Sequence, residues 1–98
     1  MAKKNGNYIV KNLNGTSDRK PKKEKTWIEY WENHTKKKAA MCHCCRRTDN
    51  LVGAHVKLTF LSDWYIVPLC KWCNARTDEF TVFGELVPIN MSTNIIRK

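Results

Sequence analysis

The sequence predicts a small α+β domain, and three features of the 98-residue chain lead to that prediction. Aromatic residues recur at helical spacing in the first half of the chain. Two short β-favouring runs follow, separated by a loop of a length that lets them pair as a hairpin. A short cysteine motif stands on either side of this hairpin. A chain of this length folds as one domain with a modest core, so a bound ion would add useful stability.

The two cysteine motifs have the spacing of a structural metal site. Cys42 and Cys45 form one C-x2-C pair, and after 24 intervening residues Cys70 and Cys73 form another. Each pair places two thiolates one tight turn apart, and two such pairs complete the tetrahedral shell that zinc prefers. We therefore predict that these four cysteines bind one structural Zn²⁺ ion.

The fifth cysteine, Cys44, and the N-terminal sequence indicate in which cellular compartment the protein is found. The cysteine count is five, an odd number, and no apolar run follows the basic N-terminus as it would in a secretory signal. Reduced thiols in a cytoplasmic protein, with no membrane partner, are therefore favoured over a disulfide framework. Cys44 is then a spare thiol, although a ligand set in which Cys44 or His43 replaces one of the four stays open.

The first 25 residues of the chain are basic, and turn-forming residues and a proline interrupt their regular structure. Residues 8–10 favour a short strand, and Asn14-Gly15 is a strong turn signal. Residues 17–25 are charged and contain a proline, which is typical of a loop or arm. We therefore divide the chain into a basic N-terminal strand, turn and arm over residues 1–25 and a single zinc-binding domain over residues 26–98.

An amphipathic helix is predicted over residues 26–38. Thr26 and Glu29 form a capping box at its start, and three lysines at its end suit the helix dipole. Four side chains fall at i, i+3, i+4 and i+7 on one face, which is more typical of a core contact than of a base-stacking platform: Trp27, Tyr30, Trp31 and His34.

The hairpin follows the first cysteine motif. Residues 51–56 alternate as a strand does, and residues 64–67 form its partner, which Pro68 ends. A short helix is expected from Asn74 to Glu79, at the second cysteine motif. Residues 80–89 are typical of another hairpin or of a strand that covers the core. Knuckle, hairpin and helix in this order predict a small zinc-stapled treble clef, with an N-terminal amphipathic helix and a C-terminal strand or hairpin.

Residues 42–79 resemble the HNH or ββα-metal endonucleases that carry a structural zinc. The resemblance rests on the two cysteine motifs, on Gly53-Ala54-His55-Val56 and on the run from Val67 to Asn74. It implies that His55 is the general base that activates water, that Asn74 completes the site, and that a second divalent metal binds there. The wider pattern also resembles small bacterial or phage proteins without an assigned activity, which adds to the fold but not to the function.

One departure from that family bears on catalysis. Ala54 stands where the family has a metal-binding Asp, and Mg²⁺ relies on such carboxylates to be held beside a phosphate. The surroundings of His55 favour a structural role, and support of a zinc thiolate or direct ligation of zinc are the alternatives. The sequence therefore favours a protein that is not an enzyme.

The charge distribution indicates a polyanionic partner. The formal charge is +9, and residues 1–41 hold 11 Lys/Arg against 4 Asp/Glu, whereas residues 42–98 hold 7 against 5. Basic segments of this kind favour nucleic acid, because each phosphate contact releases counterions. We predict a non-catalytic zinc module that binds nucleic acid, DNA more than RNA, through Lys20, Lys22, Lys23, Lys36, Lys37 and Lys38. The alternatives are a metal-dependent HNH-type endonuclease with His55 as base, and a protein–protein adaptor or inhibitor.

Overall fold

The computed structural model describes residues 3–13, 20–21, 24–59, 63–89 and 95–96. Within these residues the order of elements is β1 (Lys3–Asn12), β2 (Lys20–Pro21), α1 (Trp27–Thr35), β3 (Leu51–Leu58), β4 (Trp64–Cys70), α2 (Lys71–Asn74), β5 (Glu79–Pro88) and β6 (Ile95–Ile96). Four of these strands form a closed antiparallel barrel in the order β1-β3-β4-β5, and β2 pairs separately with β6.

The closed barrel shows that the predicted treble-clef fold is wrong. The predicted hairpin does form, because β3 pairs with β4 along nearly its whole length. However, β1 pairs with β5 over residues 6–11 and with β3 over residues 10–12, and these pairings close the sheet on itself. The fold is therefore mostly strand with two short helices. The strand predicted at residues 8–10 is part of β1 and forms one wall of the barrel, although the sequence assigns it to the N-terminal segment of residues 1–25.

The second correction concerns the segment after the last cysteine. A helix was predicted from Asn74 to Glu79, but α2 covers only Lys71–Asn74, and Glu79 already belongs to β5. The helix starts earlier because Cys70 is its N-cap, and it stops early because the chain must straighten to pair with β1. Of the two alternatives for the tail, a strand that covers the core is confirmed.

The barrel interior follows from the alternation of side chains along each strand. Its apolar side chains form one buried cluster with three of the cysteines of the two motifs, whereas Cys45 is exposed. The buried members of this cluster are Val10, Cys42, Ala54, Val56, Tyr65, Val67, Leu69, Cys70, Cys73, Phe80, Val82 and Leu86.

Helix α1 packs on the outside of the barrel. Trp27, Tyr30 and Trp31 are buried against Ile66 and Val87, which point away from the barrel interior. The predicted core face of the helix is thus confirmed for its three large aromatic residues. No helix in the described part of the chain is long and apolar enough to cross a membrane.

Two side-chain hydrogen bonds and one glycine fix the position of α1. The Tyr30 hydroxyl donates to the carbonyl of Pro88 at 2.9 Å, and the Trp31 indole Nε1–H donates to the carbonyl of Glu85 at 2.9 Å. At Gly53 of β3 a Cβ atom would lie 2.4 Å from the carbonyl carbon of Trp27. The start of the helix therefore touches the strand backbone, an approach that only glycine permits.

The ends of α1 differ slightly from the prediction. The Thr26 hydroxyl accepts from the N–H of Glu29 at 3.2 Å, but the Glu29 carboxylate accepts from the N–H of Lys25, at 3.0 Å, rather than from that of Thr26. The helix ends before residue 38 because Lys36 takes a left-handed conformation with φ of 61°. Its N–H still donates to Glu32, so Lys36 caps the helix rather than continuing it.

Candidate metal centre and the surface around it

The structure brings together the four cysteines that the spacing singled out. The Sγ atoms of Cys42, Cys45, Cys70 and Cys73 all lie within 4.8 Å of one another, and those of Cys45 and Cys70 are 3.6 Å apart. A tetrahedral ion with metal–sulfur bonds of about 2.3 Å needs sulfur–sulfur distances of roughly 3.8 Å. The four thiols could therefore hold one metal ion.

Two backbone N–H groups of the first cysteine motif donate to the sulfur of Cys42. The N–H groups of Cys44 and Cys45 point at the Cys42 Sγ, at 3.4 and 3.5 Å. The loop is closed by two backbone hydrogen bonds, from Cys42 to the carbonyl of Arg47 at 2.7 Å and from Arg46 to the carbonyl of Cys42 at 3.0 Å. Arg46 takes the left-handed φ of 70° that this tight turn requires.

The second motif is built in a similar way and is tied to the first. Cys70 caps α2, and its Sγ accepts from the N–H of Cys73 at 3.5 Å. The N–H of Lys71 donates to the carbonyl of Asn50 at 2.9 Å. Because Asn50 closes the loop after the first motif, this bond joins the two halves of the centre directly.

The thiols of the centre do not ionise alike. Burial opposes ionisation of Cys42, but the backbone N–H groups of Cys45, Cys70 and Cys44 outweigh it and lower its pKa to about 7. Burial first, and then the neighbouring thiols, raise the pKa of Cys73 far above its usual value. The thiol of Cys42 therefore ionises readily, whereas that of Cys73 does not, and a cation bound among the four sulfurs would favour ionisation of them all.

Asn12 supports the second motif from the first strand. Its side chain is buried, and its Nδ2 donates to the carbonyls of Cys73 at 2.9 Å and Arg76 at 3.0 Å. The Cys73 carbonyl lies in the last turn of α2 and also accepts from the N–H of Arg76 at 3.2 Å, whereas the Arg76 carbonyl lies just beyond the helix. Sequence reasoning missed this residue, because it precedes a turn signal and its partner is 61 residues away.

Cys44 and His43 lie outside the group of four. Cys44 is partly buried, and its Sγ lies 3.8 Å from a guanidinium nitrogen of Arg76. The His43 ring instead stacks on Phe83, with 5.0 Å between centroids, and meets Trp31 edge-on at 5.3 Å. Burial lowers the pKa of His43, a hydrogen bond with the Phe83 backbone opposes that shift, and the positive charge of Lys37 lowers the pKa to a lesser degree.

The two residues matched to nuclease catalysis are differently placed. His55 lies on β3 beneath α1, with its ring edge-on to Trp27 at 4.8 Å and to Trp64 at 6.3 Å, and it is 8% exposed. Asn74 is exposed at the end of α2. Neither belongs to the group of thiols that could hold a metal. The ring of His55 faces the helix, so its surroundings are those of a packed residue.

The lysines predicted to bind nucleic acid are only partly described. Lys22 and Lys23 lie outside the described residues, and for Lys20 only the backbone pairing with Ile96 is known. Lys36 and Lys38 are exposed. Lys37 forms an ion pair with Glu85 at 2.7 Å, so its charge is already offset by a carboxylate of the protein.

A cationic and aromatic surface surrounds the thiol centre, and sequence reasoning missed it. The Arg47 guanidinium lies over the Trp72 ring at 4.3 Å, and the Lys71 ammonium lies 4.8 Å from the same ring. Arg46 lies over the Phe83 ring at 4.3 Å. Trp72 remains 50% exposed. The available signal was that Lys71 and Trp72 occupy the two middle positions of a cysteine knuckle, which face outward.

Comparisons with known proteins give no relative. No protein-family model, no curated protein and no solved structure matches the chain. The resemblance to HNH endonucleases therefore has no support from these comparisons.

Proposed function

We propose that this protein is a zinc-stabilised β-barrel module that binds single-stranded nucleic acid through the surface around its metal centre. Zinc is the metal because four thiolates in a closed tetrahedral set, with no open position, are typical of structural zinc. The ion completes a core that includes Cys42, Cys70 and Cys73. Its role is to hold the two cysteine knuckles together, and not to act on a substrate.

The observation that carries the binding function is the stack of Arg47, Trp72 and Lys71. An exposed indole flanked by two cations offers a stacking face to a base and charge to the adjacent phosphates. Paired bases in a duplex do not offer their faces, so this arrangement favours single strands. Arg47 also forms an ion pair with Asp49 at 3.3 Å, which holds the guanidinium in place and offsets part of its charge, whereas Lys71 forms no ion pair with any described acidic residue.

The metal and the binding surface are coupled in this proposal. Arg47 follows the first knuckle, whereas Lys71 and Trp72 lie within the second. The cation–aromatic contact between Arg47 and Trp72 therefore forms only when the two knuckles are side by side. Zinc fixes that arrangement, so nucleic-acid binding should require the metal even though the metal touches no nucleotide.

Fluorescence anisotropy with a labelled oligonucleotide tests the proposal. The zinc-loaded protein should bind a single-stranded DNA of mixed sequence at low salt, and more tightly than the corresponding duplex. Removal of zinc by a chelator should abolish the binding. Absence of binding at low salt would refute the function, and equal binding to the duplex would refute the role of the stack. Recovery of a protein partner after nuclease treatment, without oligonucleotide binding, would favour an adaptor instead.

A further inference from the structure

Two of the four clustered thiols differ in exposure and lie close enough to react with each other. Cys45 is exposed, whereas the other three cysteines of the group are at most 7% exposed. The Sγ atoms of Cys45 and Cys70 are 3.6 Å apart. A disulfide holds its sulfurs about 2.05 Å apart, so a displacement of about 1.5 Å would join this pair. The centre therefore combines one accessible cysteine with a buried cysteine that can bond to it.

An open depression gives small molecules access to Cys45. It is lined by this cysteine and by the four residues that follow it in the chain, Arg46, Arg47, Thr48 and Asp49. Oxidation of cysteines by peroxides follows their exposure. Because the depression opens to solvent, a small uncharged oxidant such as a hydroperoxide reaches Cys45 before it reaches a buried cysteine.

Cys70 is a better partner for Cys45 than are the other cysteines of the first motif. Adjacent Cα atoms are about 3.8 Å apart, below the roughly 4.4–6.8 Å that disulfides span, so Cys44 and Cys45 do not pair without strain. The Cys42 Sγ accepts from two backbone N–H groups, at 3.4 and 3.5 Å, whereas the Cys70 Sγ accepts from that of Cys73, at 3.5 Å. Fewer of these hydrogen bonds therefore oppose a movement of Cys70 toward Cys45.

We propose that Cys45 and Cys70 form a redox pair in which a disulfide takes the place of the zinc ion. The Cys45 thiolate attacks the distal oxygen of a hydroperoxide. The O–O bond breaks, the alkoxide or hydroxide leaves and takes up a proton, and the sulfur becomes a sulfenic acid. The Cys70 thiolate then attacks that sulfur, so the S–S bond forms, the S–O bond breaks, and the departing hydroxide is protonated to water. The two sulfurs lose two electrons, which the hydroperoxide gains.

Formation of this disulfide expels the metal. The thiolate is the ligand of zinc, and a disulfide sulfur carries no negative charge. Cys42 and Cys73 then remain, and two thiolates do not make the closed tetrahedral shell of a structural site. Zinc therefore leaves as Zn²⁺, and reduction of the disulfide by a thiol restores the ligands. The inference rests on the proposed function, because zinc is the ion that the oxidation releases.

The new bond keeps the proposed binding surface assembled. Arg47 lies two residues after Cys45, and Trp72 lies two residues after Cys70. A covalent link between the two cysteines thus holds the guanidinium and the indole, which are 4.3 Å apart, side by side. The link also closes a loop of 24 intervening residues, which restricts the unfolded chain. The oxidised protein therefore keeps its fold and its nucleic-acid binding without zinc.

Peptide mapping of the zinc-loaded full chain tests the pairing. Hydrogen peroxide should release about one zinc ion per chain, measured with a chromophoric chelator, and dithiothreitol should restore zinc binding. Trypsin cleaves after Lys71 and so separates Cys70 from Cys73, and the non-reduced digest should link residues 39–46 to residues 58–71. Fragmentation of the linked peptides should place the bond on Cys45. Zinc release without this link, or a bond at any other cysteine, would overturn the inference.

Two metal-free forms of the protein show whether the disulfide replaces the ion. Reduced protein that is stripped by a chelator should unfold and lose oligonucleotide binding. Oxidised protein should remain folded by circular dichroism and bind a single-stranded DNA within about threefold of the zinc-loaded affinity. Loss of the fold or of that binding on oxidation would overturn the replacement. If the zinc-loaded protein binds no oligonucleotide, the proposed function is refuted, whereas the link, the zinc release and the fold still test the redox pair.

Cys45→His separates the redox pair from metal binding. Three cysteines and one histidine also form structural zinc sites, so this variant should still take up about one ion. It lacks the exposed thiol, and it should release zinc about tenfold more slowly in peroxide and form no link to Cys70. Cys44→Ser is the matched control and should release zinc and form the link as the wild-type protein does. Equal rates of zinc release from Cys45→His and the wild type would overturn the inference.

Discussion

The side-chain amide of Asn12 donates to the carbonyl of Cys73, and so joins the first strand of the barrel to the metal centre. The same amide also reaches the carbonyl of Arg76 at 3.0 Å. Because β1 pairs with both β3 and β5, the position of this amide is set by the barrel. Closure of the barrel and assembly of the centre are therefore linked through one side chain.

Asn12→Ala should lower the stability of both the fold and the centre. The substitution removes two hydrogen bonds and leaves two carbonyls at the end of α2 without this partner, so the free energy of unfolding should fall by about 1–3 kcal/mol. Urea unfolding measures this loss, and zinc should also be withdrawn at a lower chelator concentration. Asn7→Ala, an exposed asparagine on the same strand, is the control. Equal effects of the two substitutions would contradict the role assigned to Asn12.

Part of this architecture was predictable because its signals are local. The two cysteine pairs, the aromatic face of α1 and the β3–β4 hairpin each depend on residues close together in the chain. Barrel closure depends on the pairing of β1 with β3 and β5, which lie far from it in the chain, and no spacing in the sequence indicates this pairing. The role of Asn12 was missed for the same reason: its partner Cys73 is 61 residues away, and the turn signal close to Asn12 gave no indication of this contact.

The surface around the centre was missed for a different reason. Net charge pointed to the lysine-rich first part of the chain, because it counts charges without their neighbours. In the structure Lys37 is paired with Glu85 and Arg47 with Asp49, but the Arg47 guanidinium and the Lys71 ammonium also lie against the exposed Trp72 ring. Which cations lie against an aromatic ring depends on how the two cysteine motifs fold, so this surface could not be predicted from composition.

Gly53→Ala should displace α1 from the barrel. The added Cβ would lie 2.4 Å from the backbone of Trp27, and backbone cannot move aside as a flexible side chain can. Overpacking of this kind typically costs about 1–3 kcal/mol. Thermal unfolding measures the loss, and the near-ultraviolet circular dichroism of the buried tryptophans should weaken. Gly6→Ala is the control, because its Cβ would meet only the end of the Tyr8 side chain, at 3.3 Å. A folded and equally stable Gly53→Ala protein would refute this packing.

Substitution of a cysteine by serine should abolish zinc binding for the four predicted ligands but not for Cys44. Cys42→Ser or Cys70→Ser should abolish stoichiometric zinc and unfold the protein, because each removes a ligand from the closed set. Cys44→Ser should retain about one zinc per chain, since this thiol lies outside the set. Elemental analysis with circular dichroism measures both properties. Retention of zinc by Cys42→Ser together with its loss from Cys44→Ser would show that the ligand set is shifted.

Zinc binding should weaken as the pH falls. The thiolate is the ligand, and in the metal-free protein the Cys42 pKa of about 7 means that this thiolate is present above pH 7 and is lost below it. The other thiols must also lose protons on binding, so the apparent affinity should rise steeply with pH. Competition with a chromophoric chelator at several pH values measures the trend. An affinity that is independent of pH would exclude thiolate ligation.

Arg47 and Trp72 should contribute to nucleic-acid binding in distinguishable ways. Trp72→Ala removes a stacking face and should cost about 1–3 kcal/mol of binding free energy at every salt concentration. Arg47→Ala removes a phosphate contact, so the slope of log affinity against log salt should become shallower by about 0.7. Anisotropy titrations of a single-stranded DNA over a range of salt concentrations separate the two effects.

The same titrations contain their controls. Trp72→Phe keeps an aromatic face beneath Arg47 and Lys71, so it should retain most of the affinity that Trp72→Ala loses. Lys25→Ala removes one exposed positive charge far from the knuckles in sequence and should alter neither the affinity nor the salt slope appreciably. If Lys25→Ala and Arg47→Ala weaken binding equally, the protein attracts nucleic acid through its overall charge, and the surface around the centre has no special part in recognition.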